Sequence, residues 1–346
     1  MGAQARCGAF AAGELLPPPH TATPAHTHTI TTRQRYYHGG KHDFTTWCGD
    51  PNEDHFYTLP CAVAAFKAYI AARLAHVNPY TGRRAADEPA IAAWETGNEL
   101  RAPAGWTQGV AAFIKSLDAN HLVLDGTLVA PGSDHFAGCP AVDVFQQHFY
   151  PPDAAALLAA AAAAAAAGRA YIAGEYGWVG GGGGPFPFNA TLLACAGSGG
   201  NCSGSCAWSF FPHADAHGFV QHGDGFTFHY PGDTAGMRGF VDALRASNAA
   251  MAGAPAPPPL PAPLAPAVTA AQGGTLAWRG AALAASYAVP TAPAAGGPWA
   301  DADGAPTDND APWRVPGGLP AGRWVRLRGV GAEGLAGPWS EPSQAA

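Results

Sequence analysis

Short apolar runs alternate with longer segments of helical periodicity through the middle of the chain. After Pro60, apolar residues recur at the spacing of one helix face, namely Val63, Phe66, Ile70, Leu74 and Val77. Helices are also predicted at residues 106–117, 154–167 (with Asp153 as N-cap) and 234–250. The apolar runs predicted as strands are residues 91–94, 121–124, 142–145, 171–173 and 206–210. This alternation predicts a parallel sheet buried on both faces, as either a (β/α) barrel or a doubly wound sheet.

Changes in composition divide the chain into four segments. Residues 1–26 are polar, Pro-rich and aperiodic, which predicts a disordered or atypical N-terminal segment. Residues 27–250 carry the strand–helix alternation, and the Pro/Ala-rich run 251–267 predicts a semi-rigid linker. Residues 268–346 form a separate segment that contains several tryptophans. Its strict polar–apolar alternation predicts a half-buried antiparallel strand over residues 324–330.

Composition and charge exclude two classes of function. The 346-residue chain is 48% hydrophobic but only 12% charged, and its formal net charge is -7. An acidic balance without a basic run excludes a protein that binds nucleic acid through its phosphates. No apolar stretch reaches the roughly 18 residues that a membrane-spanning helix needs, so we expect no membrane partner either.

The cysteines and glycosylation motifs favour an oxidising, extracellular location. The chain has seven cysteines, and two N-glycosylation sequons begin at Asn189 and Asn201. Cys195, Cys202 and Cys206 are near enough in sequence for a local disulfide, but spacing alone does not reveal the pairing. We expect a secreted protein, although no signal peptide is visible in this chain.

Two glutamates stand where predicted strands end. Glu99 closes the run that starts at Trp94, and Glu175 closes the run that starts at Ile172. The carboxyl ends of the strands of a parallel barrel converge on one face, which carries the active site. A pair of carboxylates about 5–5.5 Å apart is what a retaining glycosidase needs. The alternative is that each glutamate is an ordinary solvated residue at a strand end.

The segment Trp94–Leu100 (Trp-Glu-Thr-Gly-Asn-Glu-Leu) resembles the Asn-Glu signature of glycoside hydrolase family 5, and most closely that of its endo-β-1,4-mannanase branch. Motifs between Phe56 and Val123 keep the order and spacing of that branch, and the resemblance extends over roughly residues 36–245. It implies an α/β fold, a TIM (β/α)8 barrel, and hydrolysis with retention of configuration.

The resemblance also implies roles for individual residues. Glu99 would be the acid/base, and Asn98 would hold the 2-hydroxyl of the sugar. Glu175, in Gly-Glu-Tyr-Gly, would be the nucleophile. His148 and Tyr150 match a His-x-Tyr pair on the sixth strand of the family's barrel, and the tyrosine hydroxyl would help to keep the nucleophile ionised.

Trp208 matches the eighth-strand aromatic residue that forms the floor of the subsite where the bond breaks. Aromatic faces suit the apolar faces of pyranose rings. For Trp208, as for the histidine and tyrosine of the sixth strand, the alternative is ordinary core packing.

The chain departs from the family pattern at its N-terminus. Only six strands can be placed from residue 27 onward, the five apolar runs above and, before Tyr36, a segment that would be the third strand of the family's barrel at best, so the barrel is predicted to lack its first two β/α units. The arginine that the family supplies from the second unit has no match, since Arg33 and Arg35 lie in the wrong place. Residues 268–346 resemble a fibronectin type III module, which predicts a small all-β, sandwich-like C-terminal domain.

Two functions remain open from the sequence. The first is a monomeric endo-acting hydrolase of β-mannan or a related cell-wall polysaccharide, which needs neither a metal ion nor a cofactor. The second is a carbohydrate-binding pseudoenzyme, or an inactive truncated form, whose incomplete barrel does not position the two glutamates. No metal site is predicted, because the His-rich run at 26–42 has no acidic or cysteine partner at ligand spacing. In the run at 213–222 no helix places His213 and His217 on one face, which favours a substrate-lining loop.

Overall fold

The computed structural model describes residues 26–29, 40–178, 201–211, 213–214, 218–219, 224–230, 232 and 234–346. These fall into two compact units, one ending at Ala207 and the other running from Trp208 to Ala346. No helix within the described ranges is long and apolar enough to cross a lipid bilayer. The predicted boundaries at residues 250 and 267 stay predictions.

A six-stranded sheet in sequential order organises the first unit. Its strands are β1 (His26–Thr29), β2 (Ile91–Glu95), β3 (Leu122–Leu124), β4 (Val144–Phe149), β5 (Ala170–Gly177) and β6 (Gly204–Trp208). The neighbouring pairs from β1 to β5 are all parallel. Four of the five residues of β2 are buried, as expected for a strand that is covered on both faces. The predicted parallel sheet is thus confirmed, and β1 lies where the sequence placed the first recognisable strand.

Helices alternate with these strands. They are α1 (Lys41–Trp47), α2 (Pro60–Ala75), α3 (Ala104–Leu117), α4 (His135–Gly138) and α5 (Ala154–Ala166), and short 3-10 turns span Glu53–Tyr57 and Ala85–Asp87. The predicted N-cap of α5 is present, because the Asp153 carboxylate accepts a hydrogen bond from the Ala156 N–H at 3.0 Å. One detail of the helix prediction was wrong. Val77 lies beyond the end of α2, half exposed, in a bridge with Arg84.

The helices pack through aromatic side chains next to the sheet. Phe56 and Phe66 are fully buried, and Phe66 stacks on Trp106 of α3 with ring centroids 5.7 Å apart. Phe44 meets Phe66 edge-on and Phe56 at a tilt, which extends the cluster to α1. A disulfide between Cys48 and Cys61 ties the turn after α1 to the first turn of α2. The aromatic cluster, through Trp106, supports the connection from β2 to α3.

A buried hydrogen-bonded group joins Trp94 of β2 to the turn that precedes β3. The Trp94 indole N–H donates to Asp118 Oδ2 at 2.7 Å, and His121 Nδ1 lies 2.6 Å from the same oxygen. Burial by itself would raise the pKa of Asp118, but these hydrogen bonds bring it below its usual value. The ionised carboxylate therefore holds Trp94, and with it β2, in place.

The second unit contains one long helix, α6 (Ala235–Met251), and short strands. Two of these, β7 (His213–Ala214) and β8 (Gly218–Phe219), pair with each other. The remaining strands are β9 (Ala267–Gln272), β10 (Thr275–Arg279), β11 (Ala284–Ala288), β12 (Pro290–Ala292), β13 (Ala300–Asp301), β14 (Trp313–Arg314), β15 (Trp324–Val325), β16 (Arg328–Gly331) and β17 (Ser343–Gln344).

Strands β9 to β17 form three antiparallel sheets around a single apolar core. The sheet orders are β14-β10-β9, β11-β16 and β13-β12-β15-β17. Trp278 and Tyr287 lie at the centre of the core, with ring centroids 5.3 Å apart. The single strand predicted over residues 324–330 is instead split into β15 and β16, although Val325 and Leu327 are buried as the alternation requires. The fibronectin type III assignment stays a prediction.

Candidate active site

The loop after β2 is fastened to the end of β3 by three hydrogen bonds. The Thr96 N–H donates to Leu124 O at 3.0 Å, and the Gly126 N–H donates to Thr96 Oγ1 at 2.9 Å. The Leu100 N–H closes the loop on Gly126 O at 2.8 Å. Glu99 lies inside this closed stretch, so the neighbouring strand determines its position.

Two backbone features are specific to this loop. Gly126 packs so closely against Gly97 that a methyl group on Gly126 would overlap the Gly97 backbone. Glu99 itself has φ of 52°, in the left-handed region that side chains other than glycine seldom adopt. Such conformations are concentrated at functional sites, where the surrounding structure maintains them. Here the three hydrogen bonds around Glu99 supply that constraint.

Strands β4 and β5 supply the other side chains. His148 pairs in register with Glu175, directly after an irregularity between Gln147 and His148. Tyr150 follows the end of β4 by one residue. All three side chains therefore reach the edge of the sheet at which the carboxyl ends of the strands meet, as does Glu99.

The two glutamates and His148 form a compact group. His148 Nδ1 lies 3.1 Å from Glu99 Oε1 and 3.4 Å from Glu175 Oε2. One oxygen of each carboxylate and one ring nitrogen all lie within 4.8 Å of one another. The Tyr150 hydroxyl donates to Glu175 Oε2 at 2.9 Å. The structure thus brings together four of the six candidate residues.

The exposure of these groups suits a reaction at the edge of a cleft. The His148 side chain is 3% exposed, whereas those of Glu99 and Glu175 are 16% and 19% exposed. A buried imidazole next to two accessible carboxylates can orient both of them without occupying the space in front of them. The same spacing would also allow the three groups to hold a cation.

Asn98 and Trp208 are less closely tied to this group. Asn98 adjoins Glu99 in the same loop and is partly buried, but within the described ranges its side chain makes no hydrogen bond to the other candidates. Trp208 ends β6, and its indole N–H donates to Asp224 Oδ2 at 2.7 Å. Because Trp208 is the first residue of the second unit, its part in the site stays a prediction.

Sequence reasoning missed the residues that support the group from below. The buried Gln146 side-chain amide donates to the buried Glu95 carboxylate at 2.9 Å. A Cβ at Gly174 would overlap Gln146 and would lie 3.2 Å from His148 Cδ2. Alternation along β2 and β4 marks both polar residues as inward-facing, and a polar pair directed into a sheet core was the available signal.

A second buried group, also missed, lies below the loop after β3. His135 Nδ1 is 2.7 Å from Asp125 Oδ2, and its Nε2 is 3.0 Å from Ala102 O. Burial alone would lower the pKa of His135, but hydrogen bonds with Asp125 and Cys139 raise it to about 10. With an acceptor at each ring nitrogen, His135 is an imidazolium that links α4 to the loops after β2 and β3.

The structure shows the redox state of some of the cysteines. Cys202 is disulfide-bonded, whereas Cys139 and Cys206 remain thiols. Of the local disulfides that spacing allows among Cys195, Cys202 and Cys206, the pair Cys202–Cys206 is not formed. Cys195 and the sequon residue Asn189 lie outside the described ranges. The Cys48–Cys61 disulfide agrees with an oxidising compartment.

Comparison with protein families gives a partial match. Residues 30–151 match the family model described as glycoside hydrolase family 5 β-mannosidase-like. This range includes Asn98, Glu99, His148 and Tyr150, but neither Glu175 nor Trp208. The match covers about a third of the chain, and its description agrees with the family that the Trp94–Leu100 motif resembles.

Curated relatives match over the same part of the chain. Mannan endo-1,4-beta-mannosidase 4 of Oryza sativa subsp. japonica is 36% identical over 101 residues, which are 25% of this chain and 22% of that protein. Mannan endo-1,4-beta-mannosidase 1 of Arabidopsis thaliana is 29% identical over 142 residues, or 33% of this chain and 34% of that protein. The matches thus span about a quarter to a third of the length of these relatives.

Solved structures agree on the fold. The endo-1,4-beta-mannanase from Rhizomucor miehei aligns with a TM-score of 0.54 at 23% identity, covering 66% of this chain and 71% of that one. An endo-beta-1,4-mannanase from Thermotoga petrophila aligns with a TM-score of 0.55 at 17% identity, covering 92% and 79%. The described parallel sheet therefore corresponds to most of a (β/α) barrel, in agreement with the sequence.

Proposed function

We propose that the chain is a retaining glycoside hydrolase that cleaves internal β-1,4-mannosidic bonds of a mannan-type polysaccharide. Glu175 is the nucleophile and Glu99 the acid/base. The observation that carries the proposal is the separation of the two carboxylates, whose nearest oxygens lie within 4.8 Å. Retaining enzymes hold their carboxyl groups about 5–5.5 Å apart, whereas inverting enzymes need about 6.5–9.5 Å for an intervening water.

In the first step Glu175 attacks the anomeric carbon, and Glu99 protonates the departing glycosidic oxygen. The Tyr150 hydroxyl occupies one lone pair of Glu175 Oε2, which leaves the other carboxylate oxygen to form the glycosyl–enzyme bond. His148 Nδ1 lies 3.1 Å from Glu99 Oε1, so the imidazole fixes the position of the acid/base carboxyl. Asn98, adjoining Glu99, would meet the 2-hydroxyl as the oxocarbenium-like charge develops.

In the second step the roles of Glu99 reverse. After the leaving group has departed, the Glu99 carboxylate removes a proton from water, which displaces the sugar from Glu175 and restores both groups. Since one carboxyl of the pair must be protonated and the other ionised at the start, we expect a bell-shaped dependence of kcat/KM on pH. Neither step needs a cofactor.

The test compares purified full-length chain with its Glu175→Ala variant on β-mannan, with cellulose as a second substrate and new reducing ends as the readout. Glu333→Gln serves as the matched control, because Glu333 is an exposed glutamate of the second unit. We expect release of oligosaccharides from mannan that Glu175→Ala abolishes and Glu333→Gln leaves unchanged. No release by a chain that circular dichroism shows to be folded would rule out the proposal.

The alternative is a carbohydrate-binding protein without hydrolytic activity. The partial family match favours this alternative in one respect, because the matched range ends before the proposed nucleophile Glu175. Mannan binding with a dissociation constant that Glu175→Ala leaves unchanged, and without product at any pH, would be the signature of that function. The extracellular location inferred from the cysteines suits both functions.

A further inference from the structure

Two tryptophans and two arginines stack on one another in the C-terminal segment. The Arg326 guanidinium carbon lies 4.3 Å from the ring centroid of Trp299 and 4.3 Å from that of Trp339. The Arg328 guanidinium carbon also lies 4.3 Å from the Trp339 centroid. These four side chains are called the Trp–Arg stack below. Such distances are typical of direct cation–π contact.

The alternation of buried and partly exposed residues from Val325 to Arg328 explains why the stack forms. Leu327, between β15 and β16, is fully buried in the core, whereas Arg326 and Arg328 on either side of it are only partly buried, so their side chains point away from the core. The Ser340 N–H donates to Leu327 O at 2.8 Å, which brings the neighbouring Trp339 alongside the two arginines. The core and the backbone thus fix the positions of both guanidinium groups.

Among the residues that the structure describes, neither guanidinium has a counterion. Within the described ranges, no carboxylate lies within 4.0 Å of Arg326 or Arg328, and neither group donates a side-chain hydrogen bond. The Nε atoms of both arginines are buried without a partner. Partly desolvated cations normally have a carboxylate or another acceptor next to them, and an exception calls for an explanation. The stack also holds both planar forks rigidly, so little conformational freedom is lost when a ligand binds.

We propose that the Trp–Arg stack is a binding site for the acidic groups of a glycan. A carboxylate of a uronic acid and a sulfate ester both present the paired oxygens that a guanidinium fork binds in a bidentate manner. Two forks that share Trp339 can engage one such group each, or one group together. The site lies in the C-terminal segment and does not depend on the hydrolytic activity proposed above.

Charge in this segment favours a sparsely charged glycan over nucleic acid. Residues 268–346 contain five arginines and no lysine, against six aspartates and glutamates. A nucleic-acid site needs a basic stripe that follows many phosphates, together with open aromatic faces on which bases can stack. Here Trp339 already carries two guanidinium groups over its ring. The two guanidinium groups of the stack, in an otherwise acidic segment, suit a glycan in which only some sugar units carry an acidic group.

Affinity electrophoresis of the full chain tests the proposal. The gels contain polygalacturonate, a sulfated galactan, neutral galactomannan or single-stranded DNA. The variant Arg326→Gln/Arg328→Gln removes both forks, whereas Arg279→Gln/Arg314→Gln removes the same charge from two exposed arginines of the same segment. We expect retardation by the carboxylated gel, the sulfated gel or both, with an apparent dissociation constant that the stack variant raises at least tenfold and the control variant less than twofold.

Several results would overturn the proposal. These are no retardation of the wild type by either acidic glycan, equal effects of the two variants, and stronger retardation by DNA than by the acidic glycans. Because the hydrolase proposed above would itself bind galactomannan, the neutral gel counts against the proposal only if the stack variant weakens retardation there as much as in the acidic gels. If circular dichroism shows that the glutamine variant is unfolded, Arg326→Lys/Arg328→Lys decides, because it keeps the charge and loses the planar fork. The proposal requires at least threefold weaker binding by this lysine variant, and wild-type binding would refute it.

Discussion

Replacing Gly126 by alanine tests the geometry of the Glu99 loop most sharply. A Cβ at this position overlaps the backbone nitrogen, carbonyl carbon and oxygen of Gly97, so the strain cannot be relieved by rotating a side chain. The loop must instead move away from β3 by roughly 1 Å to restore ordinary contact distances. Gly97 lies two residues before Glu99, so the Glu99 carboxyl, the proposed acid/base, moves with it.

The structure gives the size of the effect. The hydrogen bonds that Gly126 makes with Thr96 and Leu100 are both buried, and each contributes about 0.5–1.5 kcal/mol. Overpacking costs about 1–3 kcal/mol more, so we expect a loss of about 2–6 kcal/mol in the free energy of unfolding. A 1 Å misplacement of a catalytic group can lower a rate about 100-fold, so kcat on mannan should fall by that order.

The assay measures urea unfolding and kcat for the wild type, Gly126→Ala and the control Gly109→Ala. Gly109 lies in α3, and nothing lies within 4 Å of the position of an added Cβ. The control should gain up to about 1 kcal/mol from helix propensity and keep its activity. Wild-type stability and wild-type kcat in Gly126→Ala would refute the reasoning. A loss of stability with unchanged kcat would show that the loop is structural only.

Three further predictions concern single interactions. Tyr150→Phe removes a hydrogen bond to the Glu175 carboxylate, so transition-state stabilisation should fall by about 1.5 kcal/mol, or roughly tenfold in kcat/KM. Because Tyr150 is 38% exposed, the melting temperature should stay unchanged. An unchanged kcat/KM would contradict this prediction. The pKa of His135 is raised from 6.5 to about 10, so its contribution to stability is complete below pH 6.5 and is lost as the pH rises toward 10. His135→Gln should therefore flatten the urea-derived stability curve between those two pH values, and parallel curves would count against the ion pair. Cys48→Ser/Cys61→Ser should cost about 3 kcal/mol in the free energy of unfolding, as the chain-entropy relation gives for a loop of this length, and a loss under 1 kcal/mol would contradict that estimate.

Of the four residues that the structure brings together, Glu99 and Glu175 could be predicted because each closes an apolar run in the sequence, and parallel topology places the carboxyl ends of strands side by side. His148 and Tyr150 were identified only by the resemblance to the His-x-Tyr pair of the family. The motif around Asn98 then identified the kind of chemistry. Local pattern and general topology were thus sufficient for the two glutamates but not for the histidine and the tyrosine.

Other features could not be predicted because they depend on contacts between distant segments. The close approach of Gly97 and Gly126 becomes apparent only when the register of β2 and β3 is known. His135 meets Asp125 through the way in which a short helix folds back below the loop after β3. Seven cysteines allow many pairings, and spacing alone gave no reason to join Cys48 to Cys61.

The split between β15 and β16 shows what the alternation of residues along a strand can and cannot predict. Alternation from Trp324 to Val330 correctly predicted which side chains are buried, because the two-residue period follows from strand geometry alone. Pairing partners are a different matter, since β15 pairs with β12 and β17 whereas β16 pairs with β11. A period of two does not reveal that a strand passes from one sheet to another.

Trapping of the covalent intermediate tests the central claim most directly. The full chain is incubated with an activated 2-deoxy-2-fluoro-β-mannoside, whose fluorine slows both steps and whose good leaving group preserves the first. The intact mass is then measured, and the modified peptide is sequenced by mass spectrometry. The account predicts one added glycosyl group per chain, attached to Glu175 and absent from Glu175→Ala. Turnover of mannan by a chain that gives no adduct, or an adduct on any other residue, would contradict it.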